Sequence, residues 1–209
     1  MKTIEYTNPD LLDREGWPAG EWDNEPDKIQ WRDETTGFPC LIVRNRMGGL
    51  CGYVGVPRGH RFYMVDYDSV SLGDEMEYNE NNYPPAHGGL TFSNKCLDGP
   101  ENSTICHLPE PDDFACIHEA RKWWNEREGA DDAAQRHPFS RYCPDCEAIV
   151  SPDETYWLGF DCAHYMDLTP RMLMLDAEFG LQKEHGSYKD VAYVKRNVAE
   201  LAVWLKEHS

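Results

Sequence analysis

The chain has 209 residues, 40% of them hydrophobic and 12% aromatic, which is enough to bury one real core and excludes general disorder. A formal net charge of −18 sets the surface against nucleic-acid backbones and anionic lipid, and favours cations, basic proteins or plain solubility. No apolar run reaches the ~18 residues of a membrane span, and Met1 to Asp13 lacks the apolar stretch of a secretory signal, so a cytoplasmic protein is expected whose eight cysteines are thiols or metal ligands rather than disulfides.

Residues 1–27 mix Pro9, Pro18 and Pro26 with Gly16, Gly20 and many acids, and read as an irregular acidic arm anchored by Leu11, Leu12, Trp17 and Trp22. From Lys28 a single α+β domain is expected to run to residue 209. Ile29 to Arg32, Cys40 to Arg46 and Leu50 to Val56 are β-rich runs punctuated by Thr36-Gly37 and Met47-Gly48-Gly49, which predicts a meander of antiparallel strands. Pro57-Arg58-Gly59-His60 closes the last of them in a turn. Residues 66–86 are polar, acidic and rich in Asn, and read as a long surface loop. A short strand over Gly89 to Ser93 follows His87-Gly88 directly.

Asp112 or Asp113 can cap a helix reaching about Arg127, inside a Cys-containing insertion over 110–152 in which Gly129 to Tyr142 reads as loop. Thr155 to Phe160 is a further apolar strand, followed at once by Asp161-Cys162-Ala163-His164. The clearest element comes last: Val191, Val194, Val198, Leu201 and Leu205 recur at steps of three and four, with Ser187 and Asp190 spaced as a capping box. The expected architecture is an antiparallel sheet of short strands packed by this C-terminal amphipathic helix.

Two constellations carry chemistry. Val56 to His60, His87 to Thr91 and Asp161 to Asp167 each place a histidine beside a strand and a tight turn. If those strand ends share an edge, His60, His87, Asp161, His164 and Asp167 line one pocket, as ligands of a metal or as a His/Asp acid–base set. Each also has a plainer reading, with Asp161 capping its turn and the histidines satisfied polar residues. Separately, Cys143-Pro144-Asp145-Cys146 is half of a tetrahedral zinc site, because its spacer lets both thiolates reach one ion. Cys116 and His118 can supply the other half to Zn2+; Cys106-His107, or Cys96 with Cys106, are alternatives. A redox reading of Cys143 and Cys146 lacks the expected βαβ context. Cys40, Cys51 and Cys162 lie in or beside apolar strands and read as buried core thiols. Phosphate-cradling, dinucleotide-binding, nucleophile-elbow and calcium-loop patterns are absent.

Cys51-Gly-Tyr-Val-Gly-Val-Pro57 with Gly59-His60, His87-Gly-Gly-Leu-Thr91, Gly159-Phe-Asp-Cys-Ala-His164 with Asp167, and Tyr188-Lys-Asp-Val-Ala-Tyr-Val194 resemble an uncharacterised family encoded mainly by bacteriophages. The resemblance spans roughly residues 38–108 and 155–205 and sets 110–152 apart as an insertion, which makes the zinc candidate a local staple. It implies a phage accessory protein working in an infected bacterial cytoplasm, where small acidic proteins often counter host defence. Two functions follow as expectations: a metal-dependent or His/Asp acid–base hydrolase of a small nucleotide-like substrate, in which Arg58 and Arg61 meet the anion, or a non-catalytic acidic inhibitor or sequestering protein, the inhibitor docking on a basic bacterial host protein.

Overall fold

Alternation along the central strands decides the architecture, because successive side chains of a strand point to opposite faces. The computed structural model describes residues 3–7, 12, 14–72, 83–96, 105–107, 141–143, 148–150, 155–180 and 186–209. Its strands in chain order are β1 (Ile4–Tyr6), β2 (Lys28–Arg32), β3 (Pro39–Arg44), β4 (Leu50–Val56), β5 (Phe92–Lys95), β6 (Arg141–Cys143), β7 (Ala148–Val150), β8 (Tyr156–Asp161), β9 (Asp167–Leu168) and β10 (Ser187–Tyr188). The α-helices are α1 (Tyr67–Leu72), α2 (Pro170–Phe179) and α3 (Val191–Glu207).

Six strands form an antiparallel sheet in the order β1-β2-β3-β4-β8-β5. On one face Ile29, Cys40, Ile42, Val54, Leu158 and Phe160 pack against α3. Val194, Val198, Leu201 and Leu205 of that helix are fully buried, each contributing about 1.5–3 kcal/mol by removal from water. Gly52 lies under the helix. A Cβ there would come within 2.6 Å of both the Phe160 ring and Val198 Cγ2, so glycine sets the helix-to-sheet distance. On the other face Leu41, Val43, Cys51, Tyr53 and Trp157 are covered by Cys96, Ile105 and Cys106. Both faces are therefore dry, which is why β3 and β4 read as nearly unbroken apolar runs.

The α+β sheet and its C-terminal helix agree with the sequence reading, and the local differences have identifiable causes. The N-terminal arm contributes β1, which pairs with β2, and a 3-10 turn at Glu21–Asn24 that buries Trp22 edge-on against Tyr188. The first edge strand of the second half starts at Phe92 rather than Gly89, because Gly88 and Gly89 both hold positive φ in the turn before it. Asp190, not Ser187, caps α3: its Oδ1 accepts from the Tyr193 N–H at 2.7 Å, while Ser187 belongs to β10. Helix α1 occupies the start of the expected 66–86 loop, and α2 was not anticipated. The helix expected to reach Arg127 lies outside the described residues; of the 110–152 segment only the β6–β7 hairpin is described.

Cys40, Cys51 and Cys162 are buried thiols, as their apolar strands suggested. Burial pushes Cys51 up to about 11 and moves Cys40 and Cys162 well above the ordinary thiol range, so none is a ready nucleophile. Cys96 and Cys106 depart from the expectation of reduced thiols: they form a disulfide across ten residues.

Candidate functional site

Strand direction determines which histidines meet. β4 and β5 both run antiparallel to β8, so the residues preceding β5 and those leaving β8 share one end of the sheet. His87 comes from the turn before β5, and Asp161 to Asp167 is the loop leaving β8. That loop is built on local hydrogen bonds. Asp161 Oδ1 accepts from the Ala163 N–H at 2.9 Å, closing the first bend. Met166 adopts a φ of 72°, a left-handed conformation costly for a side chain with a Cβ, and this turns Asp167 back into the loop. Asp167 Oδ2 then accepts from the His164 N–H at 2.9 Å. β9 pairs in parallel with β10, holding Asp167 beside the chain that enters α3.

His87 bridges the loop to the helix. Its Nε2 lies 2.8 Å from Asp167 Oδ2 and its Nδ1 2.9 Å from the Tyr193 hydroxyl. A carboxylate only accepts, so in the neutral ring Nε2 carries the proton and Nδ1 accepts from Tyr193. Asp167 is 3% exposed, yet its carboxyl sits below the ordinary value of 3.8. Burial alone would raise it; the hydrogen bonds from His87 and the His164 N–H, with the charges of His87 and Lys189, outweigh that. Lys189 Nζ stands 3.4 Å from Asp167 Oδ1.

The His164 ring packs edge-on to His87, with centroids 5.4 Å apart. Its Nδ1 is buried without a hydrogen-bond partner, 3.6 Å from Asp167 Oδ2 and 3.9 Å from Asp161 Oδ1. The ring lies on Gly88, where an added Cβ would fall 2.6 Å from an imidazole carbon; the residue also holds a φ of +67°. Glycine is thus required there twice, for the turn and for the imidazole above it. One donor atom from each of His87, His164 and Asp167 lies within 4.8 Å of the others, a group that could hold a metal ion.

No family model, curated protein or solved structure matches this chain.

Of the five residues singled out in the sequence, His87, His164 and Asp167 converge, and Asp161 stands at their edge. His60 does not join them. It follows the opposite end of β4, its Nε2 2.9 Å from the Leu205 carbonyl near the end of α3, while His87 meets Tyr193 in that helix's first turn. At ~1.5 Å of rise per residue those two helix positions are about 18 Å apart. His60 Nδ1 accepts from the Phe62 N–H at 3.1 Å and the ring packs between Phe38 and Phe62, so it is a core histidine.

Burial lowers the His60 pKa from its ordinary 6.5. Its folded form prefers the neutral ring, so its contribution is fully present above that ordinary value and is lost as pH falls through the lower folded value. Urea unfolding of the wild-type chain should show stability declining below about pH 6.5, and His60→Gln should flatten that slope while lowering stability throughout. An unchanged slope in His60→Gln would assign the acid sensitivity elsewhere.

The zinc candidate built from Cys116, His118, Cys143 and Cys146 cannot be placed: Cys116, His118 and Cys146 lie outside the described residues, and of Cys143 the backbone alone is described. Of the residues offered as alternatives for the other half, Cys96, Cys106 and His107 lie together with ligand atoms within 4.8 Å, but Cys96 and Cys106 are bonded to each other, and their relation to Cys143 and Cys146 is outside the described residues.

Tyr193, Lys189 and Arg196 were not picked out from the sequence. Lys189 Nζ and the Arg196 guanidinium sit 5.5 and 5.7 Å from the Tyr193 ring centroid, so two cations flank the residue that holds His87. Arg58 and Arg61, expected to meet an anion, instead lie in the turn around His60 at the far end of β4.

Proposed function

We propose that the chain is a divalent-metal-dependent hydrolase whose ion is held by His87 Nε2, His164 Nδ1 and Asp167 Oδ2, and whose substrate is a small nucleotide-like anion. The unpartnered Nδ1 of His164 carries this reading. A Tyr193–His87–Asp167 proton relay is complete without His164 and leaves a buried nitrogen unsatisfied, a cost of roughly 1–3 kcal/mol. An ion would remove that cost by taking the lone pair of His164 Nδ1, and His87 would offer it Nε2 by carrying its proton on Nδ1 instead, donated to the Tyr193 hydroxyl. Two imidazoles and one carboxylate suit Zn2+ and leave a position for water, whose pKa such an ion lowers towards neutrality. Tyr193 fixes the ring orientation of His87 through Nδ1, as an outer hydrogen bond does for a ligating imidazole.

The surroundings support the substrate class. Lys189 and Arg196 supply positive charge beside the site in a chain of net charge −18. Tyr165, 94% exposed and next to His164, offers a planar face for a base. The bacteriophage resemblance supports the cytoplasm of an infected bacterium as the setting. A second reading, an acidic inhibitor docking on a basic host protein, draws on the net charge alone.

Calorimetric titration with Zn2+ and Mn2+ tests the proposal. Wild type should bind one more ion than His164→Ala. Gly88→Ala should weaken binding at that site at least tenfold, about 1.4 kcal/mol, because its methyl displaces the imidazole. A panel of phosphate and nucleotide esters should be turned over by the metal-loaded wild type and not by His164→Ala. Equal ion counts in wild type and His164→Ala would overturn the metal centre. A metal-loaded protein that hydrolyses nothing on the panel, yet captures a host protein in a salt-sensitive way, would favour the inhibitor.

A further inference from the structure

The second cluster lies on the other face of the sheet and is independent of the first. Cys96 and Cys106 are bonded to each other, and His107 follows directly; all of these residues are buried. The surroundings are unusual for a disulfide that serves only as a staple. The Trp157 indole N–H donates to Cys96 Sγ at 3.2 Å. Lys28, fully buried, donates from Nζ to the Cys106 carbonyl at 2.7 Å. His107 stacks edge-on against Trp157, with centroids 5.6 Å apart.

A disulfide sulfur is neutral and a poor acceptor, so the indole N–H does little for it. A thiolate at Cys96 gains from that donor, which favours negative charge on sulfur. The pieces of a soft-metal site are thus in place around a bond that blocks it. Tetrahedral zinc with ~2.3 Å bonds to sulfur separates two thiolates by about 3.8 Å, and the ligand atoms of the three residues already lie within 4.8 Å of one another.

We propose that Cys96, Cys106 and His107 form a redox-gated site for a thiophilic d10 ion such as Zn2+, closed while the disulfide is intact and opened by its reduction. A cellular dithiol supplies the electrons. One of its sulfurs attacks the Cys96–Cys106 bond to give a mixed disulfide, and the second displaces the protein thiol. Two electrons and two protons pass to the protein, and the dithiol leaves as its own disulfide. Binding of the ion then releases the two thiol protons, leaving Cys96 Sγ, Cys106 Sγ and a His107 ring nitrogen as ligands with a fourth position for water. The chain would thereby sense both thiol poise and free zinc on the sheet face opposite α3.

The test uses the full chain, oxidised or treated with a phosphine that reduces disulfides without competing for zinc. Bound zinc is counted by native mass spectrometry after removal of loose ions. Reduced wild type should hold one more zinc than reduced Cys106→Ser, and oxidised wild type should hold the same number as oxidised Cys106→Ser. Counting this difference cancels zinc held elsewhere in the chain. His107→Gln should weaken the reduction-dependent zinc at least tenfold, and cobalt in its place should give thiolate-to-metal charge-transfer absorption that Cys106→Ser lacks. Should Cys106→Ser misfold, oxidised and reduced wild type carry the comparison, with the cobalt band as readout. Equal zinc in reduced wild type and folded Cys106→Ser, a bond that resists reduction in the folded chain, or no reduction-dependent cobalt–thiolate band would each overturn the proposal.

Discussion

Replacing Arg44 with alanine is expected to destabilise the fold by about 3–5 kcal/mol, the usual cost of removing one partner from a buried ionic network. The Arg44 side chain has no exposed surface and uses its whole fork. Nε donates to Asp27 Oδ1 at 2.9 Å, one terminal nitrogen to the Gly48 carbonyl at 2.8 Å and the Tyr188 hydroxyl at 2.7 Å, and the other to Glu25 Oε2 at 3.3 Å. Asp27 also receives Arg14, and Glu25 receives the first backbone N–H of α3, from Val191, at 2.8 Å. One guanidinium therefore joins the N-terminal arm, the β3–β4 turn and the entry to the C-terminal helix. Alanine removes the cation that Asp27, nearly buried, and Glu25, partly buried, share. The melting temperature should fall by roughly 6–20 °C for a chain of this size. Arg44→Lys should fall between, since an ammonium keeps the charge and loses the fork. Adding Glu25→Gln to Arg44→Ala should cost less than the two changes summed, because the second removes a carboxylate the first orphaned. A loss below about 1 kcal/mol for Arg44→Ala would show that the network is solvated in solution and does not brace the fold.

The strands and the last helix were legible because their residues answer to local rules. Cys40 to Arg46 and Leu50 to Val56 pair as the Met47-Gly48-Gly49 turn required, with Val43 opposite Cys51 and Cys40 opposite Val54. The stripe of Val194, Val198, Leu201 and Leu205 packs on the sheet as its period demanded. Helix α2 is equally encoded, though its apolar period is weak. Thr169 caps it, Pro170 opens it, and Gly180 ends it with a φ of 63°, a full set of boundary signals on a helix with a weak apolar face. The arm reads as irregular in sequence because β1 is three residues long and draws its meaning from β2. Glu25 and Arg44 could not be matched from sequence, since nothing local says which acid a buried arginine will face.

The site was half legible for a topological reason. His60, His87 and His164 each adjoin a strand and a turn, but His60 follows its strand while His87 precedes its own. Insertion of β8 between β4 and β5 makes those two strands run the same way, which sends His60 and His87 to opposite ends of the sheet. A meander continued to β5 without that insertion would have reversed β5 and brought them together. Tyr193 escaped notice because its position on α3 lies beside the buried stripe, where periodicity assigns no role. It becomes visible once His87 is seen against the helix.

Asp167→Asn should cut divalent-ion affinity at least a hundredfold, beyond the 10–100-fold typical of losing an outer-shell partner, because it removes the one anionic ligand of the centre. Shape is nearly kept: the amide oxygen can still accept from His87 and the His164 N–H. The amide nitrogen then faces Lys189 Nζ, which stood 3.4 Å from Asp167 Oδ1, as donor against donor. Losing the charge from these hydrogen bonds should lower stability near neutral pH by about 1.5–3 kcal/mol. The pH dependence separates this from a general packing defect. The carboxyl is held below 3.8 in the folded chain, so its contribution is complete above that value and fades as pH falls through the lower folded one. The stability gap between wild type and Asp167→Asn should be widest above about pH 5 and close in stronger acid. A gap that does not narrow as pH falls below 3.8 would mean the carboxylate charge is not what holds the loop. Unchanged ion affinity in a folded Asp167→Asn protein would remove the metal centre, leaving the Tyr193–His87 pair as a brace between the loop and the helix.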